Sequence, residues 1–218
     1  MATNALTPDF ILQKCKNDRL TSIKNLNLWG NKLQDISALA EVPNMEICSL
    51  SLNNIQSLKV FQHTLKLKEL YLRKNLISDL RELKYLSQLP NLKVLWLWDN
   101  PICQHPLYRQ YCIKLLPNLV KLDSTAVSNE ERQQAQQLHV SDQDILPTPQ
   151  MQQLAAQEEN KRQSYNGVSS ASQASLVPHV PPSKNENIVR AIMCLAKELN
   201  ETSLETIKRD IDRKLNMH

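Results

Sequence analysis

The residues that ordinarily carry catalysis are present in this 218-residue chain but are not arranged for it. The five histidines, His63, His105, His139, His179 and His218, show no triad-like or metal-ligand spacing and read as surface or loop residues. The five cysteines are odd in number and form no Cys-x-x-Cys pair, which fits reduced thiols better than zinc ligands or a disulfide framework. Only Gly30 and Gly167 are glycines, so phosphate cradles, dinucleotide turns and nucleophile elbows lack their usual backbone. The expectation is a non-enzyme with no catalytic residue, no metal and no cofactor. The chemistry left is recognition by Trp29, Trp96 and Trp98, with Tyr71, Arg73 and Asn27, since Trp, Tyr and Arg dominate protein-binding hot spots.

The elements that must position these residues follow from a repeat. The register Leu-x-x-Leu-x-Leu-x-x-Asn-x-Leu recurs four times, with asparagines at Asn31, Asn53, Asn75 and Asn100, spaced 22, 22 and 25 residues. The apolar positions run Ile23, Leu26, Leu28 and Leu33 in the first unit, and in phase through Leu92, Leu95, Leu97 and Ile102 in the fourth. Such a period predicts an α/β solenoid of leucine-rich repeats with a parallel sheet on its concave face. Side chains alternate along a strand, so the residues between the consensus leucines face outward. Those positions hold Asn27, Trp29, Tyr71, Arg73, Trp96 and Trp98, and Glu69 with Arg73 and Lys74 is expected to form a polar rim. The tryptophans either bind a protein partner there or pack on one another as an extension of the core.

Both ends of the solenoid need caps. A helix over 7–16 with Thr7 as N-cap and Pro8 at its first position suits the first, its Phe10, Ile11 and Leu12 covering the opening repeat. At the other end the pattern predicts a helix over 106–116, a last strand-like turn at Leu119 and Leu122, and a helix opened by the capping box Ser128-x-x-Glu131. Pro43, Pro90 and Pro117, each followed by Asn, stop the convex segments. Leu80, Leu83, Leu86 and Leu89 predict an α-helix over 79–89 on the convex side.

The repeat domain is placed at 1–140. Residues 141–182, rich in Gln, Ser, Pro and Asn, read as a disordered linker with a transient helix near 151–162. Residues 183–218 read as a separate helical hairpin, because Ser183-x-x-Glu186 and Thr202-x-x-Glu205 each open an amphipathic run. Its seam, Ile188, Ile192, Leu195 and Leu199 on one helix and Leu204, Ile207, Ile211 and Leu215 on the other, predicts a homo-oligomer, dimer or tetramer.

The apolar runs fall short of the ~20 residues a membrane span needs, and no basic region followed by a hydrophobic stretch marks the N-terminus. Residues 1–140 carry 17 Lys and Arg against 12 Asp and Glu, an excess too mild and scattered to indicate direct nucleic-acid binding. The expectation is a chain without membrane or nucleic-acid partners.

The run Leu26-Asn27-x-Trp29-Gly30-x-x-Leu33-x-Asp35-Ile36, the unit Glu69-Leu70-Tyr71-Leu72-Arg73-x-Asn75, the segment Val94-Leu95-Trp96-Leu97-x-x-Asn100-Pro101 and the C-terminal hairpin resemble the small leucine-rich-repeat cilia- and flagella-associated proteins. The likeness covers the repeats, the cap with Tyr108-Arg109 and Leu122-Asp123, and residues 185–216, but not the linker. It implies a scaffold in the cytoplasm and cytoskeleton at the basal body of the cilium or flagellum, acting in cilium formation and cell shape. It also implies a NIMA-related kinase as a partner through the C-terminal module, with oligomerisation by the same helices. The cap is shared with the spliceosomal A-prime protein and with the leucine-rich axonemal dynein light chain. The alternative it implies is a splicing-type adaptor holding an RNA-binding partner.

Overall fold

The computed structural model describes residues 4–171, with side chains to 161. The chain divides into two compact units after Ser169, and the first contains the solenoid. The expected hairpin over 183–218, with its seam from Ile188 to Leu215, lies outside the described residues.

Four strands of three residues, β1 (Asn25–Asn27), β2 (Ile47–Ser49), β3 (Glu69–Tyr71) and β4 (Val94–Trp96), pair in parallel in sequence order. The register sets Leu26, Cys48, Leu70 and Leu95 side by side facing inward, all at most 2% exposed. Leu28, Leu50, Leu72 and Leu97 form the next fully buried row. This stacking is what a strict period produces, since each unit can bury its apolar face only on its neighbours. Cys48 sits in the core, and burial pushes its thiol far above the usual range, as expected for an inert core cysteine. The fifth and sixth strands, β5 (Lys121–Leu122) and β6 (Thr125–Ala126), close the sheet, β6 running antiparallel to its neighbour.

The consensus asparagines form a ladder. Asn53, Asn75 and Asn100 are buried, and each amide nitrogen donates to two carbonyls, one in its own unit and one in the unit before. Each side-chain oxygen accepts a backbone N–H of the preceding unit. The residue before each asparagine is left-handed: Gly30, Leu52, Lys74 and Asp99, at φ between 56° and 70°. A second row of asparagines follows the prolines: Asn44, Asn91 and Asn118 donate side-chain amide protons to the carbonyls of Thr21, Leu65 and Pro90. The proline ends a convex segment, and the asparagine ties it to the one before.

The N-terminal cap is as expected. α1 (Pro8–Cys15) starts at Thr7, whose hydroxyl accepts from the Phe10 N–H, and buries Ile11 against the core. At the far end α2 (Tyr108–Leu115) leads into β5 and β6. The following α3 (Asn129–Gln137) has both reciprocal bonds of the Ser128/Glu131 capping box.

Two expectations differ from the structure. The segment expected as an α-helix over 79–89 is a 3-10 helix, Leu80–Tyr85, followed by turns. Leucines every third residue match a helix of three residues per turn, so the spacing itself favours the tighter form. The folded unit also continues past 140. Ile145 joins the main core at 4% exposure, Met151 is fully buried, and α4 (Pro149–Ala171) starts at Thr148, whose hydroxyl accepts from the Met151 N–H. Two anchoring apolar residues set among Gln, Asp and Pro leave composition reading as linker where contacts are made.

Candidate protein-binding face

The outward positions of the four strands lie on one open sheet. At its centre Tyr71 and Trp96 are cross-strand partners on β3 and β4, their rings edge to face with centroids 6.0 Å apart and planes at 77°. Such an aromatic pair contributes roughly 0.5–1.5 kcal/mol beyond the area it buries. The Trp96 indole N–H donates to the Asp123 carbonyl, and the Lys121 ammonium lies 5.9 Å from its ring centre. Tyr71 donates its hydroxyl proton to Glu69 at 2.6 Å; that bond, then burial, pushes the phenol up to about 12. The centre of the face is therefore a fixed, neutral aromatic platform.

The outer tryptophans are placed differently. Trp29 is 42% exposed and Trp98 56%, so neither packs away as core. Their backbones are nonetheless held. Asn27 accepts the Trp29 N–H at 3.1 Å, and the Asp123 carboxylate accepts the N–H groups of Leu97 and Trp98 at 2.8 and 2.9 Å. Asn27 thus shapes a turn, while Trp29 and Trp98 present ring area to solvent. Arg73 is directed to Asp99, with Nε and a terminal nitrogen at 3.0 and 2.9 Å from one oxygen. Glu69 and Arg73 of the polar rim expected with Lys74 are therefore engaged within the fold.

Asp123 is the residue that motif reading undervalued. It is 8% exposed, takes a left-handed φ of 54°, and its second oxygen accepts the Tyr108 hydroxyl at 2.9 Å. Its carboxylate takes the place of a next strand's carbonyl, since the N–H groups of Leu28, Leu50 and Leu72 donate to the backbone carbonyls of Ser49, Tyr71 and Trp96 and that of Leu97 donates to Asp123, and it links the cap to the turn that carries Trp98. No fifth asparagine at the repeat spacing announces it. Tyr108 and Arg109 are structural, Arg109 making a two-point ion pair with Glu131 at 2.6 and 2.9 Å. Among the described residues no group of three His, Cys, Asp or Glu side chains could hold a metal ion. Among them, too, no helix is long and apolar enough to cross a membrane.

The sequence profile of the leucine-rich-repeat family matches residues 28–146, more than half of the chain. Cilia- and flagella-associated protein 410 of Mus musculus is 35% identical over 96% of this chain and 94% of its own length. The chain belongs to this leucine-rich-repeat family. Its human relative of the same name is 44% identical over 60% of this chain and 52% of that protein. A chain in the Drosophila melanogaster SNF/U2A′ complex is 24% identical, with a TM-score of 0.47, covering 66% of this chain and 96% of that one. The leucine-rich-repeat assignment accounts for the parallel sheet, the asparagine ladder and the capped ends.

Proposed function

We propose that this leucine-rich-repeat protein is a non-enzymatic, protein-binding scaffold of the cilium or flagellum base. On this reading it acts in cilium formation, cytoskeletal organisation and cell shape, and its concave sheet captures the partner. The observation that carries the binding surface is the exposure of Trp29 and Trp98, in the turns that follow β1 and β4, together with the locked Tyr71–Trp96 pair on β3 and β4. Large aromatic area held on a rigid sheet loses little conformational freedom on binding, which favours protein recognition. The near whole-length likeness to the mouse protein supports the ciliary setting over the splicing-type adaptor. Residues 183–218 complete the reading as the module that self-associates and meets a NIMA-related kinase, making the sheets multivalent.

The test is a tagged full-length copy in a ciliated cell, wild type against the double variant Trp29→Ala, Trp98→Ala. Wild type concentrates at the basal body, and the variant, at equal abundance, becomes diffuse. A wild-type protein in nuclear speckles overturns the ciliary setting. A variant that localises normally overturns the choice of surface.

A further inference from the structure

The edge of the solenoid where the chain leaves each strand carries a groove of about 610 Å³. One side is the row of left-handed turn residues Gly30, Leu52, Lys74 and Asp99; the other is α4, through Leu154 and Glu158. Leu52 is the unusual member. It holds a φ of 60°, a conformation that strains a leucine and suits a glycine, and is 41% exposed, so little burial offsets the strain. Gly30, in the matching turn of the first unit, shows what that backbone prefers.

α4 lies against the solenoid by one face. Met151 is buried and Leu154, Ala155, Glu158 and Glu159 are half-buried, whereas Gln152, Gln153, Ala156, Gln157 and Asn160 are exposed. That is helical spacing, and the covered face is apolar in one turn and acidic in the next. The opposite wall offers the matching pair of chemistries, Leu52 and Lys74. The fit is nevertheless loose: between 149 and 161 only Met151 and Leu154 are large apolar residues, and the groove stays unfilled.

We propose that this edge is a second docking site, for an amphipathic helix of a protein partner that carries a large apolar residue and an acidic one four positions later. α4 is its resident competitor. A tether gives α4 an effective concentration in the millimolar range, so a weak intramolecular contact suffices to hold the groove until a helix with a fuller apolar stripe displaces it. The groove adjoins the turns of Trp29 and Trp98 but takes neither ring into its lining, so its failure leaves the reading of Trp29 and Trp98 untouched.

The probe is a fluorescein-labelled peptide of residues 148–165 bearing Ala155→Leu, titrated by fluorescence anisotropy with the purified full chain. In the chain, Leu154→Asp with Ala155→Asp releases α4 while leaving buried Met151 in place. The released chain binds the peptide about tenfold or more tightly than wild type, because the tethered competitor is gone. Adding Leu52→Gly to the released chain abolishes that gain, and glycine adopts the turn freely, so matched melting curves exclude misfolding. A probe with Glu158→Lys binds poorly to the same chain. A released chain that binds no better than wild type, or a gain that survives Leu52→Gly, overturns the proposal.

Discussion

Replacing Asn75 by alanine removes three short hydrogen bonds and a long one to the Arg73 carbonyl at 3.5 Å, and the geometry of the short ones sets the size of the effect. The Asn75 oxygen accepts the Ile55 N–H at 3.1 Å, and its amide donates to the carbonyls of Leu50 and Leu72 at 3.0 and 2.8 Å. The carbonyls are not orphaned, because Leu50 keeps a bond from Asn53 and Leu72 keeps one from Asn100. The Ile55 N–H loses that acceptor in a fully buried setting. One orphaned donor at ~1–3 kcal/mol plus two weakened carbonyls comes to about 3 kcal/mol. For a domain of this size that lowers Tm by roughly 6–12 °C. The internal control is Asn31→Ala. Asn31 holds the same consensus position in the edge unit, is half-exposed, and its side chain donates to the Trp29 carbonyl at 3.1 Å, so its loss costs at most about 1 kcal/mol. Thermal and urea melts followed by circular dichroism compare the two. Equal losses would refute the argument that the ladder acts through buried backbone groups.

Three other outcomes are expected. Trp96→Ala lowers stability by about 2 kcal/mol through loss of the Tyr71 contact and the indole bond, whereas exposed Trp98→Ala leaves the melt unchanged within ~0.5 kcal/mol; equal shifts would contradict the division into platform and free ring. His105 is buried, its Nδ1 accepts the Leu107 N–H at 3.1 Å, and burial lowers its pKa against the opposing pull of hydrogen bonds with the Leu146 and Asp144 backbone. Its contribution is therefore complete above the unfolded value of ~6.5 and is lost as pH falls from there through the lower folded value, so melts from pH ~7.5 downward show a decline below ~6.5 that His105→Asn flattens. The full chain self-associates by light scattering, and Ile192→Asp with Leu195→Asp makes it monomeric; an unchanged mass would remove the hairpin as the cause.

The sequence carried the solenoid because each repeat must satisfy the same geometric condition, so phase errors in leucine or asparagine positions would have been visible. Strand alternation likewise put Trp96 on the outward face, whereas Trp29 and Trp98 lie in the turns just past β1 and β4. The sequence showed Asp123 only as part of the cap's family likeness and not its bonds, because the end of an array is where the repeat stops and the partners of the last turn come from the cap. It did not show that Asn27 and Arg73 are engaged within the fold, since Asp99 and the Trp29 N–H become partners only once turns are formed. The leucine triplets at 80–89 were visible, but a window tuned to 3.6 residues per turn took a period of three for an α-helix. Past 140 the sparse anchors Ile145 and Met151 were outvoted by their polar neighbours.

A parallel sheet built from three-residue strands has two open flanks, and an open flank invites another copy to add its own strand. At the last flank β6 folds back antiparallel on β5, so the hydrogen-bonding edge that a fifth repeat would use is occupied by the chain's own turn. Asp123 reinforces the block chemically. Its carboxylate already accepts from Leu97, the N–H that in each earlier unit donates to the next strand's carbonyl, so a foreign strand finds that donor taken. The carboxylate and the hairpin turn thus act as a chain terminator for strand addition. Asp123→Asn with disruption of the β6 turn is the change by which these solenoids would begin to join end to end into filaments.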